Sequence, residues 1–163
     1  MIPPIKKILY ATDLSKNSIY AFFHAVDMAR KYDAQILILN VIEPISAKAY
    51  GSGKDKLELD QYRTSMEVIK NRVQEFCKKV EERKGACLSL VSEILVRVGD
   101  PVEEVLKMAE ETACDLLVLG KHSKGFLTKT FLGSVSQAVL ERARKPVLLI
   151  PLPSEETTAW DEI

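Results

Sequence analysis

No stretch of these 163 residues approaches the roughly 20 consecutive apolar side chains of a membrane-spanning helix, and Met1-Ile2-Pro3-Pro4 is not a basic segment followed by an apolar one. Neither a membrane protein nor a secreted precursor is expected, and the cytoplasm is the expected location. An excess of one charge is also missing. The 23 Lys and Arg residues face 23 Asp and Glu with no segregated block, so the sequence lacks the basic footprint of a DNA or RNA partner. Cysteine is sparse: Cys77, Cys87 and Cys114 lie far apart among apolar neighbours. Without the paired short spacing of a zinc or thioredoxin-like site, they read as structural thiols. The length suffices for a single core burying roughly two thirds of the unfolded surface, with no need of metal or cross-link.

Several kinds of catalytic machinery are missing too. Gly51-Ser52-Gly53-Lys54 has the look of a phosphate-binding loop, but Lys48 stands where its first glycine belongs and Asp55 where a magnesium-binding hydroxyl belongs. It reads as part of a polar loop over Pro44–Lys56. No acidic pair is spaced for two-metal chemistry, and no nucleophile has an adjacent base.

What is present is alternation. Short apolar runs at Lys6–Thr12, Gln35–Ile42, Leu88–Val98, Cys114–Leu119 and Val147–Ile150 read as strands. Between them, Ile19, Phe22, Phe23, Val26 and Ala29 recur at helical spacing over Ser18–Tyr32, as do Tyr62, Met66, Ile69, Val73, Phe76 and Val80. Asp100 with Pro101 and Glu103 reads as a capping box opening a third helix, and Ser134–Ala143 reads as a fourth. From Pro151 onward a disordered or weakly docked tail is expected. Strands alternating with helices imply a doubly wound, mainly parallel α/β sheet with helices on both faces. Ligands in such sheets sit outside the carboxyl ends of the strands, where the strand order reverses.

Two strand ends carry unusual chemistry. The first strand delivers Ala11-Thr12-Asp13-Leu14-Ser15; the fourth delivers Gly120-Lys121-His122-Ser123-Lys124-Gly125, followed by Gly133-Ser134-Val135-Ser136 at a helix start. Glycines, hydroxyls and a helix N-terminus are the parts of an anion site. The same residues also serve plainer purposes: Gly133-Ser134 can cap a helix, Gly120 can end a strand, and Asp13 can cap as readily as bind a ribose hydroxyl. No carboxylate or second histidine accompanies His122 locally, and Lys121 and Lys124 flank it, so phosphate contact or solvent exposure fits it better than acid–base work. Lys129 extends that basic loop, and His24 falls within the amphipathic first helix as a structural or surface residue.

The first-strand signature, Val41, Gly99-Asp100-Pro101, and Val118-Leu119-Gly120-Lys121-His122-Ser123 leading to Leu132-Gly133-Ser134-Val135-Ser136 together resemble the universal stress protein family over about Lys6 to Pro151. The resemblance implies one domain over residues 1–151 with a tail over 152–163, and a five-stranded parallel sheet of order 3-2-1-4-5. It implies ATP or AMP, with any magnesium carried by the nucleotide. Ala11 and Asp13 would meet the adenosine half and Val41 the adenine. Gly120, His122, Ser123, Gly133, Ser134, Val135 and Ser136 would meet the phosphate half, and Leu119 would also contact the nucleotide. Ser123 departs from the nucleotide-binding branch, which has glycine there, so a second class stays open: an interaction module that does not bind nucleotide. An adenylyl-transferring ATPase is the third class, and it would want a glycine-rich loop after the first strand, where Asp13-Leu14-Ser15 has none. The resemblance further implies a regulatory binder and not a dedicated enzyme, acting as a homodimer through an apolar edge strand at Val147–Ile150, with a further protein partner unassigned.

Overall fold

Five apolar runs separated by amphipathic segments build one five-stranded sheet, all parallel, in the order β3-β2-β1-β4-β5. The computed structural model describes residues 2–13, 15, 17–44, 54–84, 87–122 and 132–152. The strands are β1 (Lys7–Thr12), β2 (Gln35–Ile42), β3 (Val91–Val98), β4 (Leu116–His122) and β5 (Val147–Leu152). The helices are α1 (Ser18–Tyr32), α2 (Lys54–Lys84), α3 (Pro101–Glu111) and α4 (Leu132–Arg142).

Successive strand residues point to opposite faces, and each face has its own core. Ile8 and Tyr10 of β1 pack with Phe22, Val26, Ile69 and Val73 of α1 and α2. Leu9 packs with Val105, Met108 and Val139 of α3 and α4 on the other side. Burial on both faces explains why β2 carries an almost unbroken apolar run. At the amino edge, the Asp115 carboxylate accepts the backbone N–H groups of both Lys6 and Lys7, each at 2.9 Å, and so fixes β4 beside β1.

The first two strands and α1 fall where the sequence pattern puts them; other boundaries differ for physical reasons. α2 begins at Lys54, inside the expected Pro44–Lys56 loop, whose residues 45–53 lie outside the described residues. Leu88–Leu90 form a 3-10 turn, and β3 starts only at Val91, where its pairing with β2 shifts register. The Asp100 half of the capping box forms, its carboxylate accepting the Glu103 N–H at 3.0 Å. The other half does not: the Glu103 carboxylate turns to Arg142 at the end of α4, at 2.6 and 3.2 Å, and that guanidinium holds its pKa below the ordinary value.

β4 starts at Leu116, two residues later than expected, and continues through Gly120, Lys121 and His122, because β5 pairs alongside it as far as His122–Leu152. Pro151 and Leu152 therefore belong to β5 and not to a loose tail, and Leu152 is 2% exposed. Proline is tolerated there because β5 lies at the sheet edge. α4 begins at Leu132, which brings Gly133 and Ser134 into its first turn.

The expectation of three structural thiols is corrected as well. Cys77 and Cys87 form a disulfide with Cα atoms 5.5 Å apart, and Cys114 alone remains a buried thiol, its pKa raised by burial. Ile69, Val73 and Cys77 follow one another at steps of four along the buried stripe of α2, which aims the Cys77 sulfur at the chain entering β3.

Candidate functional site

The strand order reverses between β1 and β4, and the chain leaves these neighbours toward opposite sides of the sheet. The crevice opened by that divergence is where this architecture leaves room for a ligand. A pocket of about 270 Å³ lies there. The ends of β1 and β2 supply Ala11, Thr12, Asp13, Asn40, Val41 and Glu43; β4 supplies Leu119 and Gly120. Pro101 at the start of α3, Val135 and Ser136 of α4, and Leu152 of β5 complete much of the wall.

Of the residues expected to form a site, Ala11, Asp13, Val41, Leu119, Gly120, Val135 and Ser136 are thus brought together. His122 ends β4 beside them, and Gly133 and Ser134 lie in the first turn of α4. Ser123, Lys124, Gly125 and Lys129 lie outside the described residues, as does the Gly51-Ser52-Gly53 stretch. His24 is remote from the pocket lining: it sits on α1 with its ring edge-on to Tyr20 at 5.0 Å, and burial lowers its pKa.

Polar groups around the pocket are tied down locally. The Tyr10 hydroxyl donates to the Ser18 carbonyl at 2.6 Å, Thr12 Oγ1 donates to Ser18 Oγ at 3.0 Å, and Ser18 Oγ donates to the Ser15 carbonyl at 2.6 Å. Burial pushes the Tyr10 phenol up to about 12. Asp13 Oδ1 accepts the Ser15 N–H at 3.0 Å and so braces the turn after β1; it does not cap α1, whose N-cap is Asn17. In the same turn, Ser15 Oγ is buried without a hydrogen-bond partner among the described residues.

Thr12–Asn40 is the last pair of the β1–β2 register, and there the buried Asn40 carboxamide donates to the Thr12 carbonyl at 3.0 Å. Val41 follows one residue past that pair and lines the pocket.

Gly120 has a packing reason to be glycine. A Cβ built there would stand 2.9 Å from Leu152 Cδ1 and 3.0 Å from Leu152 Cγ and Cδ2. Across from it, the Ser136 hydroxyl reaches the Gly120 carbonyl at 3.4 Å and links α4 to β4.

The electrostatics are lopsided. Asp13 and Glu43 place two exposed carboxylates at the β1–β2 end, and the described lining carries no lysine, arginine or histidine. An anionic group would be repelled from that end and favoured at the first turn of α4, where helix N–H groups lack intrahelical acceptors. A neutral, hydrogen-bonding group suits the carboxylate end. Thr12, Asn40, Glu43, Pro101 and Leu152 line the pocket although sequence reasoning did not count them among the site residues. Asn40 carried a usable signal, a lone amide inside an apolar strand; Leu152 carried none.

Comparison with known proteins places this arrangement in context. The Universal stress protein family profile matches residues 4–151. A universal stress protein of Methanocaldococcus jannaschii, MJ0531, is 31% identical over 155 residues, covering 93% of this chain and 85% of that protein. Its relative MJ0577 from the same organism is 29% identical, and its solved structure superimposes with a TM-score of 0.68 over 94% of this chain and 100% of that one. A universal stress protein solved in complex with cAMP is 22% identical with a TM-score of 0.59, covering 91% of this chain and 98% of that chain, a likeness of fold. With the profile spanning nearly the whole sheet and a relative above 30% identity over most of both chains, this chain belongs to the universal stress protein family.

Proposed function

We propose that the protein is a regulatory adenine-nucleotide binder, taking ATP or AMP across the carboxyl ends of β1, β2 and β4. One observation carries this reading: a pocket at the strand-order reversal joins a carboxylate-bearing end, at Asp13 and Val41, to an end formed by Gly120, Ser136 and the first turn of α4. The base and ribose fit the first end, the ribose through Asp13 and the base along the Val41 backbone. The phosphates fit the second, with Gly133 and Ser134 in the helix turn and His122 and Ser123 on the preceding segment. That a protein of this fold has been solved with cAMP supports an adenine nucleotide as the ligand class. Magnesium would arrive with the nucleotide.

The pocket hydroxyls argue for binding over chemistry. Those of Tyr10, Ser18 and Ser136 reach backbone carbonyls and that of Thr12 reaches Ser18, so none of these contacts pairs a hydroxyl with a carboxylate or imidazole base. Hydrolysis, where it occurs, would be slow. ATP is a cytosolic ligand, and the cytoplasm is the location we propose; no described helix is long and apolar enough to cross a membrane. Titration calorimetry with ATP and magnesium should give saturable heat. Gly133→Val should remove it by blocking backbone approach to the phosphates. No heat from the wild-type protein would instead support the non-binding interaction module that Ser123 keeps open.

The assembly we propose is a homodimer along β5. The strand order puts β5 at an edge, and Val147, Leu148 and Leu149 are half-buried there. Such an edge invites pairing with a second chain, and a two-fold axis would close the assembly at two copies. Light scattering should give twice the 18.3 kDa chain mass, and Leu149→Lys should shift it toward one chain. A monomeric wild type would rule the dimer out.

A further inference from the structure

We infer that Leu152 is a specificity-determining residue of this pocket, setting how large a ligand group fits beside Gly120. The inference rests on the nucleotide reading above and deepens it. Leu152 is the last residue of β5, paired in register with His122, and its side chain is 2% exposed. It turns inward to line the pocket and fills the space that the absent Cβ of Gly120 leaves, with Cγ, Cδ1 and Cδ2 all within 3.0 Å of where that atom would stand. Tyr10 and Phe22 belong to the same buried cluster, so the isobutyl group is backed by packed side chains and is not free to swing aside. The wall at this end of the pocket is therefore made by a residue beyond the β4 segment that supplies the glycine. Its length decides the free volume on the Gly120 side. In the proposed pose the base lies toward Val41 and the ribose is held at Asp13 with its 5′ side turned toward Gly120, so the group that meets Leu152 is the ribose where it joins the first phosphate.

Shortening the side chain should enlarge that end, and lengthening it should close it. The probes are ATP and 2′/3′-O-(N-methylanthraniloyl)-ATP, whose aromatic substituent sits on the ribose. Leu152→Ala should improve the affinity for the substituted nucleotide relative to ATP by roughly tenfold, the low end of the scale on which a pocket reads a single methylene. Leu152→Phe should weaken both ligands. Leu152→Val removes less volume and should move the same ratio less far, which keeps the test available where the alanine variant fails to fold. A ratio equal to wild type in the alanine or valine variant, with ATP still bound, overturns the role of Leu152 and leaves the nucleotide reading standing. No binding of ATP by the wild type overturns both.

Discussion

Reduction of the Cys77–Cys87 disulfide is expected to lower the stability of the fold by about 3 kcal/mol, the chain-entropy value for a loop of this size. The cross-link spans a sequence separation of 10 and ties the last turns of α2 to the 3-10 turn that leads into β3. Both residues are at most 2% exposed, so a reductant reaches the bond only when the end of α2 opens. For a chain of this length the loss corresponds to a fall in melting temperature on the order of 10 °C. Thermal unfolding with and without a dithiol measures it. A variant with both Cys77→Ala and Cys87→Ala separates cross-linking from packing: it loses the bond and two buried sulfurs, so it should melt below the reduced wild type. Identical melting of oxidised and reduced protein would show that the bond does not constrain the unfolded chain. The bond also bears on location, since a reducing cytoplasm keeps most thiols free. Slow access to a buried pair is the physical condition under which it would persist there.

The fold was legible because its signal is repeated. Five apolar runs, those of β1 and β2 buried on both faces, and helices with clear stripes leave little choice beyond a parallel α/β sheet, and the bounds of α1 and β2 follow directly from their periodicity. What was not legible depends on contacts between distant segments. β4 runs to His122 because β5 accompanies it, and nothing in Gly120-Lys121-His122 announces a strand. Leu152 follows a proline and read as tail, yet its neighbour in space is Gly120. The Glu103 carboxylate had a local partner available and took Arg142, 39 residues away. Cys77 and Cys87 carry no motif spacing; the turn of α2 and the entry of β3 bring them together. The candidate site divides the same way. Asp13, Val41 and Gly120 stood out by type and position at strand ends, whereas Asn40 and Leu152 line the pocket because of how the sheet is registered.

Tyr10 supplies a second large effect, visible only at alkaline pH. Its ring is buried against Phe22 with centroids 5.4 Å apart, and its phenol, with an ordinary pKa of 10.0, is pushed up to about 12, chiefly by burial. Below pH 10 the phenol is protonated in folded and unfolded chains alike, and its contribution to stability is fully present. Between pH 10 and about 12 the unfolded chain releases the proton while the folded one keeps it. Stability is therefore lost as pH rises through that window, by roughly 3 kcal/mol in total. Tyr10→Phe removes this dependence and, with it, the hydrogen bond to the Ser18 carbonyl, a bond contributing about 1 kcal/mol at neutral pH. The variant should thus be slightly less stable than wild type at pH 7 and more stable near pH 12, with the two stability curves crossing between pH 10 and 12. Urea unfolding across this range measures both curves, and lysines that titrate in the same window cancel in the difference. Curves that stay parallel would mean that the Tyr10 phenol ionises without leaving its buried site.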